Sequence, residues 1–418
     1  MDLKIAHQCP QCGGPVSLAE TDRFFACDYC RVRLYITARG PFHYRLTPNT
    51  DGDALVHIPY WRFKGVSYTL RNAQVQHRIL DITRIAVPNN HLPYSLGVRP
   101  QAVPLTFVTA KTAGSFLTPA ILLKDILDGI DKQLTHGEMR ADMTRTMKPA
   151  ENIERAFIGE TASVIFLPVL PKGNRLQDGI NAAMQYQTGP DTASLIDAAG
   201  AAADWSPRFL PALCPACGWD LDGQRESCVF ACSNCSRAWM PIKRDLTEVK
   251  LGAVYRRMGS SKYIPFWKIR PQVNGVALET YADLIRYANL PKAVIKRWES
   301  QEMVFWTPAF KVRPKLFLLL AGMLTLSPPD NIARDRLRLS PAYPVTLPLS
   351  EAEESLKTVL AYLVESKRHV FEKLGDITIE TKDSELIYLP FNRRGNEFIY
   401  EGQNIAVPKA ALAHGKNL

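Results

Sequence analysis

Apolar positions along this chain recur with two periods. Arg31-Val-Arg-Leu-Tyr-Ile36 alternates polar and apolar residues, which predicts a strand. Ser163 to Leu170 followed by Lys172-Gly-Asn174 predicts a strand and a turn. Glu385 to Phe391, Arg394-Gly-Asn396 and Glu397 to Tyr400 predict a hairpin. Elsewhere the period is helical: Leu122, Leu123, Ile126, Leu127 and Ile130 follow Thr118-Pro119, which can cap and open a helix. Ser350 and Glu353 have capping-box spacing ahead of a second apolar face, Leu356, Val359, Leu360, Leu363 and Val364. A third helix is predicted over Tyr281 to Glu299, interrupted by Pro291. The longest apolar run, Leu316 to Leu326, has about half of the ~20 residues a membrane span needs, so it predicts a core strand or short buried helix. The fold class expected is α+β, with β-rich domains carrying inserted helices.

The cysteines change the picture most. Cys9-Pro-Gln-Cys12 is followed, after fourteen residues, by Cys27-Asp-Tyr-Cys30, and Cys214-Pro-Ala-Cys217 is followed at the same distance by Cys232-Ser-Asn-Cys235. Two Cys-x-x-Cys knuckles can close four thiolates tetrahedrally around one ion, a geometry zinc accepts. Four thiolates leave no open coordination position, so both sites are expected to be structural, together holding two zinc ions. The ninth cysteine, Cys228, reads as a small packed hydrophobe.

Further landmarks repeat behind the quartets. Ile58-Pro-Tyr-Trp-Arg-Phe-Lys64 is answered by Ile264-Pro-Phe-Trp-Lys-Ile-Arg270, and Val98-Arg99-Pro100 by Val312-Arg313-Pro314. Val164-Ile-Phe-Leu-Pro168 with Lys172-Gly-Asn174 is answered by Leu386-Ile-Tyr-Leu-Pro390 with Arg394-Gly-Asn396. Landmarks in one order with unequal insertions predict an internal duplication joined near residue 205. The expected domains are a metal-binding ribbon over 1–40, an α+β domain over 41–190, a linker over 191–209, a second ribbon over 210–245 and a second α+β domain over 246–418. Each half is expected to hold a nearly complete fold, the two facing one another about a pseudo-twofold axis.

With 46% apolar and 22% charged residues over 418 positions, the composition is that of a globular chain. The quartets and the position of Cys9, too early to leave room for a signal peptide, point to a reducing cytoplasmic setting. The formal charge is +10, and two four-thiolate sites of net −2 each would bring it to about +6. Most of the excess lies in the second half, with 30 basic against 22 acidic residues after position 205 and 21 against 19 before it. Arg334, Arg336 and Arg338 are interrupted by Asp335, so no concentrated basic stripe marks a nucleic-acid interface. Around Trp61 and Trp267, alternation predicts aromatics on a buried strand face and cations in solvent. Were nucleic acid bound, Arg62, Lys64, Lys268, Arg270, Arg393 and Arg394 would be the first contacts to consider.

No phosphate loop, HExxH or GxSxG motif occurs. His7, His43, His57, His77, His91 and His136 of the first half have no counterparts in the second, which holds His369 and His414, so no duplicated histidine site exists. His7, two residues from Cys9, is expected in solvent. The quartets resemble zinc ribbons of the kind found in the general transcription factor IIB and in bacterial zinc-ribbon proteins, over about 30 residues in each half. Such ribbons serve DNA binding, RNA binding and protein docking alike. The reading that follows is a non-catalytic, zinc-binding scaffold or adaptor with protein partners. The alternatives are a nucleic-acid-binding protein and an electron carrier with iron in the four-cysteine sites.

Overall fold

The computed structural model describes residues 3–71, 74–130, 154–203, 205–255, 261–334, 341–364 and 374–415. The chain is mixed α/β and strand-rich, with about eight helices among the described residues. It divides into two compact units. The first comprises Met1–Lys64, Asp81–Pro149 and Thr161–Pro211; the second comprises Gly65–Leu80, Ala150–Glu160 and Ala212–Leu418.

A long central strand organises each principal sheet. The first sheet runs, in order of neighbours, Gln185–Gln187, Arg175–Asp178, Glu154–Lys172, Phe42–Leu46, Leu105–Phe107, Lys4–Gln8 and Pro15–Ala19, and Val56–Arg71 also pairs with Glu154–Lys172. In the second, Ile405–Pro408, Glu397–Tyr400, Thr378–Arg394, Leu251–Val254 and Ile332–Ala333 follow one another, with Ser261–Asn274 on the same central strand. Register agrees as well as order. Val164 lies opposite His43 in a parallel pair, and Leu386 lies opposite Leu251 in a parallel pair. Both central strands end in a two-residue turn, closed by Lys172 with Arg175 and by Arg394 with Glu397. Gly173 (φ +60°) and Gly395 (φ +58°) occupy the first turn position, where a hairpin of this length requires a left-handed residue.

The helical predictions meet a mixed outcome. Leu356, Val359, Leu360, Leu363 and Val364 are buried as expected, but Ser350 caps nothing. The segment is two helices, Leu349–Glu354 and Leu356–Leu363, the first entered through Pro348, whose ring fixes φ. Tyr281–Glu299 splits into Tyr281–Tyr287, capped reciprocally by Thr280 and Asp283, and Lys296–Ser300, with Pro291 in the gap. Leu316 to Leu326 lies within the helix Pro314–Leu326. Near Thr118, helix begins only at residue 123, because the amides of Ala120 and Ile121 both donate to the Ala86 carbonyl and are not available to a first helical turn. Residues 191–209 contain most of the helix Pro190–Asp197, and Arg208–Pro211 pairs with Arg33–Thr37. His136, Arg336, Arg338 and His369 lie outside the described residues.

The second unit's core includes residues from the first half of the sequence. Val66, Tyr68, Leu70 and Ile158 are buried among Phe317, Leu320, Leu360 and their neighbours. Tyr68 donates from its hydroxyl to the Pro314 carbonyl at 3.0 Å. A cut at residue 205 separates those side chains from the core they help fill. We expect residues 206–418 alone to unfold at lower denaturant concentration than the same unit in the full chain. Tyr68→Ala in the full chain should cost about 3 kcal/mol or more, as cavities left by large aromatic side chains do. Equal unfolding midpoints for the fragment and the full-chain unit would contradict this.

The first unit encloses a histidine. His57 is fully buried, stacks on Phe116 at 4.2 Å and donates from Nε2 to the Ala113 carbonyl at 3.1 Å, while Nδ1 has no partner. Gly114 (φ +94°) passes so close that a Cβ there would lie 2.6 Å from the Leu55 carbonyl oxygen. Burial lowers the His57 pKa to about 4. Since the unfolded chain would take up the proton near pH 6.5, native stability from this group is present above that pH and is lost as pH falls toward 4. Against His57→Phe, wild type should lose up to about 1.4 kcal/mol of relative stability per pH unit in that window. A pH-independent difference between their unfolding free energies would refute the assignment.

Candidate metal centres

Each quartet is assembled by two copies of one backbone turn. In the first, the Cys9 amide donates to the Gly14 carbonyl and the Gly13 amide donates back to the Cys9 carbonyl, both at 2.8 Å. The same pair of bonds joins Cys27 with Val32 and Arg31, Cys214 with Trp219 and Gly218, and Cys232 with Arg237 and Ser236. Four residues past each leading cysteine, the chain is left-handed: Gly13 (φ +74°), Arg31 (φ +60°), Gly218 (φ +71°) and Ser236 (φ +59°). That turn aims amides and sulfurs toward one point. Glycine supplies the conformation without strain in the leading knuckles, while Arg31 and Ser236 adopt it at a cost.

The sulfurs converge accordingly. Within each quartet all ligand atoms lie within 4.8 Å of one another. Sγ–Sγ separations are 3.9 Å for Cys9–Cys30, 3.7 Å for Cys12–Cys27, 3.6 Å for Cys214–Cys235 and 3.5 Å for Cys217–Cys232. A regular tetrahedron with metal–sulfur bonds of about 2.3 Å has sulfurs about 3.8 Å apart, so both quartets fit a four-coordinate ion. Cys9, Cys27, Cys214 and Cys232 are buried, whereas Cys12, Cys30 and Cys217 are exposed. The two quartets thus combine an anchored inner pair with an accessible outer edge.

Acidity is spread unevenly within each quartet, as expected when neighbouring sulfurs resist sharing negative charge. The Cys30 amide and other hydrogen bonds bring Cys27 down to about 7. The Val32 amide works to lower Cys30, but local desolvation within the quartet and the three other sulfurs carry it to about 11. The Asn234 side chain and the Trp219 amide pull Cys217 down to about 6, and burial lifts Cys235 to about 12. A dication among the sulfurs removes this resistance, because it stabilises all four thiolates together.

The remaining predicted residues are placed as follows. Cys228 packs against the second unit's core and its thiol faces the Val345 carbonyl at 3.3 Å. His7 is not free in solvent: it stacks on Phe209 at 4.6 Å, and burial lowers its pKa. Trp267 is fully buried, and Trp61 is half-buried against Val164 and Phe166. The cations between the aromatics depart from the solvent-facing expectation. Arg62 is 2% exposed and ion-paired to Glu20 at 3.1 Å and to Asp81, and Lys64 is 4% exposed. Lys268 pairs with Glu385 at 3.2 Å, Arg270 with Glu302 at 2.9 Å, and Arg394 with Glu401 at 2.9 Å. Alternation did not separate a buried face from a solvent face, because Tyr60 and Phe266 on one face and Phe63 and Trp267 on the other are all buried, and the acids that receive the cations come from distant parts of the sequence.

Sequence reading did not isolate the aromatic side chains beside the knuckles. Tyr29 is 64% exposed and lies over Gly14, where a Cβ would fall 2.6 Å from the ring. Trp219, 57% exposed, stands at the position matching Gly14. Their signal in the sequence is a large aromatic inside a loop otherwise made of small and polar residues. No helix among the described residues is long and apolar enough to cross a membrane. Comparison with protein-family models, curated proteins and solved structures yields no match.

We expect Cys12→Ser and Cys217→Ser each to lower bound metal by about one equivalent per chain, read by elemental analysis of the full-length protein. Gly218→Val should destabilise the second quartet by about 1–2 kcal/mol, whereas Ser236→Gly should be neutral or stabilising. Unchanged metal content in both cysteine variants would exclude the quartets as binding sites.

Proposed function

We propose that this chain is an internally duplicated, non-catalytic zinc-binding scaffold whose two quartets are structural clips and whose partners are proteins. The observation that carries the reading is saturation: each site offers four convergent sulfurs at tetrahedral spacing, so a bound zinc would have no position for water or substrate. Duplication is supported by the shared order of neighbours around the two central strands and by one bond made twice. Trp61 donates from its indole to the Ile121 carbonyl at 2.7 Å, and Trp267 to the Leu347 carbonyl at 3.0 Å, each carbonyl preceding a helix by two residues. Val98-Arg99-Pro100 and Val312-Arg313-Pro314 each open a helix, of four residues in one case and thirteen in the other.

The scaffold reading is favoured over nucleic-acid binding by the fate of the basic residues. Arg62, Lys268, Arg270 and Arg394 are engaged with carboxylates, which leaves them poor candidates for releasing phosphate counterions. Tyr29 and Trp219 offer protein partners exposed aromatic anchors on rigid loops, the residue type that dominates interface energetics.

The native protein should co-purify with defined protein partners while carrying two zinc ions. Tyr29→Ala and Trp219→Ala should each reduce capture of a different partner by about tenfold or more without loss of zinc. Turnover of a substrate by the isolated chain, or DNA or RNA binding that weakens steeply with salt, would overturn the reading. Mainly iron in protein purified without added metal would replace it with electron transfer.

A further inference from the structure

Ser261–Asn274 has a neighbour on both sides for only part of its length. Thr378–Arg394 follows it from Ser261 to Asn274, whereas Phe305–Pro308 accompanies it only from Phe266 to Ile269. Ahead of Phe305 the chain turns away to other partners: the Met303 amide donates to the Glu279 carbonyl at 2.9 Å, and the Tyr281 amide to the Gln301 carbonyl at 2.8 Å. A cleft of about 330 Å³ opens in the resulting fork. All five residues from Arg270 to Asn274 line it, together with the buried Leu278 and Met303.

Which backbone groups face the fork follows from the alternation of an antiparallel ladder, in which each residue directs its N–H and C=O to one side and the next residue to the other. The Pro265 carbonyl accepts from the Ala309 amide at 3.1 Å. Tyr263 donates to the Pro341 carbonyl at 3.0 Å and accepts from the Tyr343 amide at 2.7 Å. Odd-numbered positions of Ser261–Asn274 therefore point away from Thr378–Arg394. Between Arg270 and Pro271 the partner changes from Asp383 to Thr381, so the extra residue of the bulge is Lys382 in Thr378–Arg394, and the alternation of Ser261–Asn274 continues unbroken. Pro265 and Pro271 agree with this, since both stand where the ladder needs no amide. Beyond Ile269 the outward groups are the Pro271 carbonyl and the Val273 amide and carbonyl, and none of them meets a hydrogen-bond partner among the described residues.

We infer that this fork is a strand-addition site for an extended segment of a partner protein, running antiparallel to Arg270–Asn274 and carrying one acidic side chain between two apolar ones. It rests on the scaffold reading and gives one protein partner a defined mode of attachment. The segment continues the place and direction of Phe305–Pro308, which is antiparallel to the same strand. Its residue opposite Val273 exchanges two hydrogen bonds with it, and the residue two further on donates to the Pro271 carbonyl. The side chains of those two residues share the face of Pro271 and Val273, which are buried and half-buried, and so are apolar. The side chain between them shares the face of Arg270, Gln272 and Asn274, all exposed. The charges lining the cleft are Arg270, paired with Glu302 at 2.9 Å, then Glu279 and Lys382. Lys382 is exposed and has no ion pair among the described residues, which leaves it to receive the acid, while Glu279 disfavours a segment with several acids.

The test uses the full-length, zinc-loaded protein and a synthetic peptide, acetyl-Thr-Val-Asp-Val-Thr-amide, followed by amide resonances and hydrogen exchange. In the free protein the Val273 amide should exchange as an unbonded group, while those of Gln272 and Asn274 are protected by the ladder. Saturating peptide should raise Val273 protection by about tenfold or more. Val273→Pro removes the outward donor without touching the ladder, so it should keep the unfolding midpoint and zinc content and weaken peptide binding about fivefold or more. Lys382→Glu should weaken binding by about fivefold, as should lysine in place of the peptide's aspartate. A peptide N-methylated at both valines keeps the side chains but loses the bonds, and should not bind. Equal binding of the N-methylated peptide, no change at Val273 with millimolar peptide, or a fold lost in Val273→Pro would each overturn the proposal. Native partners captured equally by wild type and Val273→Pro would also overturn it while leaving the scaffold reading intact. Peptide binding as described, with no native protein partner captured at all, would uphold the site and count against the scaffold reading alone.

Discussion

Four sulfurs held within 4.8 Å of one another cannot all carry negative charge unless a cation stands among them. That constraint reaches well beyond the knuckles. Each quartet fixes two turns that would otherwise be short loops with little to bury, and each turn hands its chain to a strand of a core. Cys9, Cys27, Phe25 and Leu34 belong to the first unit's core, while Val229 and Ala238 belong to the second's. The quartets are thus continuous with the cores rather than appended to them. An ion bound there would couple metal binding to packing of the adjoining strands in one folding event, as expected where a site has no counterpart in the unfolded chain.

From the quartets outward, the two halves share some arrangements and differ in others. Both lay a tryptophan-bearing strand on the long central strand and tie its indole to a carbonyl ahead of a helix. Divergence appears in what answers the cation next to that tryptophan. Arg62 is buried against Glu20 and Asp81, whereas Lys268 meets Glu385, which Arg334 also contacts. A fully buried ion pair adds little net stability, because desolvation offsets most of the attraction, but losing one partner leaves an uncompensated charge. Its effect is to pin one register of Val56–Arg71 and to link the Glu20 loop to that strand.

Legibility of this fold in the sequence followed the range of the interaction. Cys-x-x-Cys spacing, the glycine turns at Gly173 and Gly395, and the apolar face Leu356–Val359–Leu360–Leu363 are local patterns, and the structure contains them all. The Ser350 capping box is also a local pattern, but it failed because Pro348 sets the entry to the helix and a break at Ser355 sets its exit. What lay beyond reach was long-range. Nothing near Arg62 in the sequence announces Glu20, and nothing near His7 announces Phe209. Residues 191–209 look like a linker by composition, yet Trp205 stacks on His43 at 4.4 Å, fixing a segment whose own sequence offers little reason for order.

The same distinction explains why equal halves in the sequence need not be equal bodies in the fold. Where the second half carries the helix Pro314–Leu326, the corresponding proline in the first half opens a helix of four residues. A thirteen-residue apolar helix needs more cover than one sheet face provides. Val66, Tyr68 and Leu70 from the first half supply part of it, with Tyr68 beside Phe317 at a ring separation of 6.2 Å. By contrast, of the residues at the matching offsets behind the second tryptophan, Gln272 and Asn274 are polar and Val276 alone is apolar, so they offer a smaller apolar surface. The first half thus contributes apolar side chains to a core built mainly from the second. Were the halves copies of one unit, this asymmetry would still leave residues 206–418 dependent on Val66, Tyr68 and Leu70 for part of the core around the helix Pro314–Leu326.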